Sequence, residues 1–244
     1  MHESGYYKIK LDSLAKEILE KSTQPQHNYE SSYFDLEFDV FLVAHIINKL
    51  LNWKTKLSDE FEKEQFSLEK LPRKSLEESG KIDIMNHHRW DEFYNADKTH
   101  KEQRKALFIC NQLRHSFIFY ITSDPVMTDN PLSESCLFTG FLFNGDHEKD
   151  RGLFYITIEE FLRMVSLAAS DDVVQLVCRR DPETSIMQVK KKTRHNPFEV
   201  EEWARLALEN YIKEVKKKTS QNIKTRDAPV EASLDQFKSA TIQD

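Results

Sequence analysis

Asn111, Arg114 and His115 stand among Leu107, Phe108, Ile109, Cys110, Leu113, Phe117, Ile118, Phe119 and Tyr120. An amide, a guanidinium and an imidazole in such apolar company are the residues of this chain best suited to chemistry. Arg114 can hold an anion, His115 can carry a proton because imidazole titrates near neutrality, and Asn111 can orient it. The alternative is structural. A buried ion without partners costs several kcal/mol, so the same three side chains would also serve as a satisfied polar network that fixes how two helices meet.

The elements that must position them follow from periodicity. The run Arg104–Thr122 is predicted as a helix, and a turn of about 100° per residue puts Arg104, Asn111, Arg114, His115 and Ile118 on one face. A second, core helix is predicted over Ser32–Trp53, opened by Ser32 with Asp35 in a capping-box arrangement. On it His45, Asn48 and Asn52 share one face, while Asp35 and Asp39 share another and could neutralise Arg114. Asp35, Asp39, His45 and Asn48 are therefore the candidate binding residues opposite the Arg114 face.

The wider pattern is α+β, with an N-terminal antiparallel helical bundle over residues 1–122 that includes a charged excursion at 54–96. A short strand is expected at Tyr6–Leu11, then a helix through Leu14, Ile18 and Leu19. The 54–80 stretch reads as an outward extension of the core helix. Residues 134–217 alternate instead, with strands at Cys136–Phe143 and Leu153–Ile156, a short helix capped by Thr157 and Glu160, and a second hairpin from Val173–Arg179 and Ile186–Lys190. A closing helix at Asn196–Lys217 should share a core with the bundle. The polar segment 218–244 is expected to be disordered.

The second hairpin carries Arg179, Arg180, Lys190, Lys191, Lys192 and Arg194. An antiparallel ribbon of this charge can track phosphates, so nucleic acid is a candidate partner, and protection of a sheet edge explains the cations equally well. Few aromatics interleave with them, which weakens a stacking argument.

The layout of an Arg and a His late in a helical bundle resembles the HEPN family, which pairs an Arg with a His a few residues further on, usually in a dimeric bundle. That resemblance implies metal-independent RNA cleavage, with His115 assisting attack of the ribose hydroxyl and Arg114 steadying the phosphate. The spacing departs from the family: Arg114 is directly adjacent to His115, and Arg104 stands too far back.

Composition narrows the classes further. A formal charge of −6 gives no global attraction for nucleic acid. The 5 glycines form neither a phosphate loop nor a dinucleotide fingerprint, so no cofactor is expected, and no metal motif occurs. The 3 cysteines form no CxxC pair and read as reduced, packed thiols. With no apolar leader or membrane-length run, a cytoplasmic protein without a membrane partner is expected. The sequence favours a non-enzymatic binding or regulatory protein that engages a protein partner or a second copy. A phosphate-substrate enzyme using Asn111, Arg114 and His115 is the alternative.

Overall fold

The computed structural model describes residues 3–23, 29–126 and 135–194. The chain opens with α1 (Glu3–Thr23), whose Leu11, Leu14, Ala15 and Ile18 recur at helical spacing and are buried. No strand forms at 6–11: Tyr6 and Ile9 are 81% and 70% exposed, and their apparent alternation lies on the outer side of the helix. The second helix, α2 (Tyr29–Asn52), starts ahead of Ser32, so the expected cap is an interior residue. Its inward stripe is Leu36, Val40, Val43, Ala44, Ile47 and Leu50.

The charged excursion does not extend that helix. It holds α3 (Asp59–Lys63), capped by the Ser58 side chain, and then β1 (Gln65–Pro72), whose Phe66, Leu68 and Leu71 are buried. Two single turns follow, α4 (Leu76–Ser79) and α5 (Trp90–Phe93), and a 3-10 turn at Ala96–Lys98 leads into β2 (His100–Lys105). The predicted Arg104–Thr122 helix is therefore corrected. Only α6 (Ala106–Arg114) is helical, and β3 (Ser116–Val126) follows at once. Then come β4 (Ser135–Gly145), β5 (Gly152–Thr157), α7 (Ile158–Ser170), β6 (Val173–Arg180) and β7 (Met187–Arg194). Thr157 caps α7 by accepting from the Glu160 backbone N–H at 3.1 Å. The closing helix expected at Asn196–Lys217 and the tail at 218–244 lie outside the described residues.

The architecture is α+β. Five strands form one antiparallel sheet in the order β2-β1-β5-β4-β3, and β6 pairs only with β7 in a separate ribbon. The sheet is thus larger than two hairpins, because β1, β2 and β3 come from the stretch expected to be helical. Helices α1, α2, α6 and α7 lie as a layer on one sheet face, with α1 against α2 and α7, and α2 against α6. The core between the layers holds Val43, Ile109, Phe141, Phe154 and Phe161.

The other sheet face buries a smaller cluster. Ile82, Phe93 and Tyr94, from the segment between β1 and β2, cover Leu71, Ile118, Leu142 and Leu153. Arg73 fastens this cover by donating to the Phe93 carbonyl at 2.8 Å and to the Gly80 carbonyl at 2.7 Å. Tyr94 donates to the Lys149 carbonyl at 2.7 Å and accepts from Asn144 Nδ2 at 2.9 Å; burial pushes its hydroxyl up to about 12. At Gly140 the β5 strand runs so close that a Cβ would lie 2.5 Å from the Ile156 carbonyl oxygen, which leaves room for glycine alone.

Candidate functional site

Asn48 sits at the centre of the seam where α2 meets α6. Its Nδ2 donates to Asn111 Oδ1 at 2.6 Å, and its Oδ1 accepts from Arg114 Nη1 at 2.6 Å and from Asn52 Nδ2 at 2.8 Å. Spacings of four on α2 and three on α6 put these groups on facing stripes. Asn48 is buried, Asn111 half-buried and Arg114 exposed. The structure thus brings together Asn48, Asn111 and Arg114, and their polar groups satisfy one another.

The remaining predicted residues are not gathered there. His115 is exposed at the C-cap of α6, and its ring makes no hydrogen bond among the described residues. Asp39 is buried, but its partner is Lys21 at 2.6 Å rather than Arg114. Asp35 and His45 are exposed. Arg104 leaves the face altogether, because it lies on β2 and binds Glu102 at 2.6 and 2.9 Å. Within α6, burial pushes the Cys110 thiol up to about 12, against a smaller lowering by Arg114, so Cys110 stays a protonated, packed thiol at neutral pH.

This geometry gives a direct test of the seam. Asn48→Ala removes three hydrogen bonds and leaves the half-buried Asn111 amide without its partner, so urea denaturation should show a loss of about 1–3 kcal/mol. His115→Ala should stay within about 0.5 kcal/mol. Equal effects from the two substitutions would contradict the described arrangement.

The basic hairpin is divided in the same way. Arg179 and Arg180 are exposed at the far end of β6. Lys192, expected among the phosphate-contacting cations, is instead buried at 4% exposure. Its ammonium meets Glu62 and lies 3.7 Å from Asp59, while its backbone N–H donates to Asp59 Oδ2 at 3.2 Å. These contacts seat the base of β7 on α3. The side chain of Lys190 falls outside the described residues.

Between the seated hairpin and the body lies a cleft of about 460 Å³. Its apolar lining comes from Leu51, Phe61, Ala106, Leu107 and Val189, and its polar lining from Lys54, Asp59, Glu62, Lys105 and Lys192. Lys192 contacts both acids but offsets only one of their two charges, so the lining holds three cations against two carboxylates. Lys54 and Lys105 are exposed and form no ion pair among the described residues, so the rim carries free positive charge. The α6 N-terminus adds to it, since Lys105 supplies no capping bond and the first turn holds no acid. Such a site accommodates an apolar group next to an anion. Its lining comes from four separated stretches, and neither Lys54 nor Leu107 carries any sequence signal of a shared role. Among the described residues no group of three His, Cys, Asp or Glu is placed to hold a metal ion, and no helix is long and apolar enough to cross a membrane.

The chain matches no protein-family model, no curated protein and no solved structure.

Proposed function

We propose that this chain is a non-enzymatic binding protein, and that it holds an anionic, apolar-flanked segment of a partner protein in the cleft between the β6–β7 hairpin and the body. The observation that supports this reading is the cleft itself: an apolar lining beside two cations without partners among the described residues. A volume of that size lies within the range of about 300–1,000 Å³ common for small-molecule sites, so it admits a few side chains rather than a folded domain. Binding there would desolvate Leu107, which is 42% exposed, and would neutralise Lys54 and Lys105.

A photo-crosslinking residue at position 107, compared with one at the more exposed position 76 outside the cleft, tests the proposal in cells. One discrete partner should be captured from position 107, and capture should fall at least tenfold when Lys54 and Lys105 are both changed to Glu. Adducts that are the same from both positions, or that survive the charge reversal, would defeat the reading. So would RNA cleavage by the purified chain that disappears in Arg114→Ala and His115→Ala with the fold retained, because that result establishes the enzymatic alternative.

A further inference from the structure

The β6 strand has an open edge of unusual composition. Seven of its eight residues are exposed, and Val174, Leu176 and Val177 are 61%, 43% and 40% exposed. The other strand of the ribbon is occupied at its base, where the Lys192 backbone N–H on β7 is taken by Asp59 of α3. No strand pairs with β6 on its outer side among the described residues. An unprotected edge bearing apolar side chains invites another strand. Charge does not blunt it where it is apolar, since Arg179 and Arg180 occupy only its final two positions.

From this edge we infer that two copies of the chain associate through antiparallel pairing of β6 with β6. The register follows from symmetry and charge. A two-fold axis perpendicular to a two-strand junction must place one residue opposite its own copy. The pairing with β7 shifts register twice, between Val173 and Gln175, where Val174 is the extra residue on β6, and between Val177 and Cys178, where the extra residue lies on β7, so β6 itself is continuous from Gln175. With Val177 on the axis, Leu176 lies opposite Cys178 of the second copy and Gln175 lies opposite Arg179. The apolar trio Leu176, Val177 and Cys178 then meets itself, and both pairs of arginines are carried to opposite ends. Parallel pairing in register would stack Arg179 on Arg179 and Arg180 on Arg180, which is repulsive. An edge this short buries less than the roughly 1,200 Å² of a standard interface, so the dimer is weak and concentration-dependent.

Sedimentation velocity over a concentration series, with circular dichroism as a check on folding, tests the inference on the full chain. Val177→Arg sets like charges face to face on the axis and should weaken dimerisation at least tenfold. Gln175→Glu sets a carboxylate opposite Arg179 twice per dimer and should strengthen it about two- to thirtyfold at low salt, from 0.2–1 kcal/mol per cross-strand pair, with the gain lost at high salt. Register is read separately. In a Cys136→Ser, Cys178→Ser background, Val177→Cys should form an intermolecular disulfide under mild oxidation faster than Gln175→Cys, since only position 177 faces itself at bridging distance. A chain that stays monomeric at every concentration overturns the inference, as does association indifferent to Val177→Arg or oxidation no faster at 177 than at 175. The β6 edge lies outside the cleft lining, so each of those results leaves the partner-capture experiment at position 107 unaffected.

Discussion

Replacing Phe141 with alanine should cost about 3–5 kcal/mol of folding stability, the range for truncating a fully buried phenyl ring. Phe141 is 0% exposed on β4, with Phe119 stacked at 5.9 Å and Phe161 edge-on at 5.3 Å. Phe41 of α2 continues the series at 4.8 Å from Phe119. The ring therefore joins β3, β4, α2 and α7, and no single neighbour can collapse into the space it leaves. Total stability of a domain is about 5–15 kcal/mol, so the variant would sit near the threshold of folding. A thermal scan should show Tm lowered by about 6–20 °C. Phe34→Ala on the same helix layer is the control: Phe34 is 66% exposed, and its loss should stay within about 0.5 kcal/mol. A cost below about 1 kcal/mol for Phe141→Ala would mean that the aromatic series is not the joint between layers.

That same series explains how much could be read from the chain alone. Most of α2 and α7 are legible because each buries one side and exposes the other, which leaves its period in the sequence, whereas the β4–β5 hairpin, buried on both faces, and β6, exposed on both, are legible as short strand-length runs broken by polar turns. β3 is not. Its Ile118 enters the smaller cluster while Phe119 and Ile121 face the helices, so apolar residues occur without interruption and the run Arg104–Thr122 reads equally well as a buried helix. β1 was hidden for the opposite reason, because Glu69 and Lys70 interrupt its apolar residues within a charged stretch. At the α2–α6 seam, the amide face of α2 is visible as the i, i+4 spacing of Asn48 and Asn52, and it does meet Asn111 and Arg114. The end of α6 at Arg114 was not visible, and it is this end that leaves His115 outside. The cleft was beyond reach by pattern, because Lys54, Lys105 and Val189 become neighbours only once α3 holds Lys192.

Asp171→Ala should be the most damaging change to the cleft, though Asp171 does not line it. The carboxylate is buried at 1% exposure and accepts from the Ser58 backbone N–H at 2.7 Å and from Ser58 Oγ at 2.8 Å. Ser58 in turn caps α3 by accepting from the Phe61 N–H at 3.1 Å, and the Asp171 carbonyl receives the Lys8 ammonium of α1. One side chain at the end of α7 thus fixes the start of α3, which carries the Asp59 and Glu62 that hold Lys192. Removing it strands two buried donors, at about 1–3 kcal/mol each for unmet hydrogen-bonding groups, so a loss of about 3–5 kcal/mol is expected in urea denaturation. Asp171→Asn keeps an acceptor for the Ser58 N–H, and the Ser58 hydroxyl can rotate to accept from the new amide, so its cost should be nearer about 1 kcal/mol. Stability alone would not show that α3 has moved. The second readout is amide hydrogen exchange at residues 187–194, which should accelerate in Asp171→Ala under conditions where α2 and β4 remain protected. Unchanged exchange in β7 would mean that the hairpin is seated without help from α3, and the route from Asp171 through Ser58 to the cleft would have to be discarded.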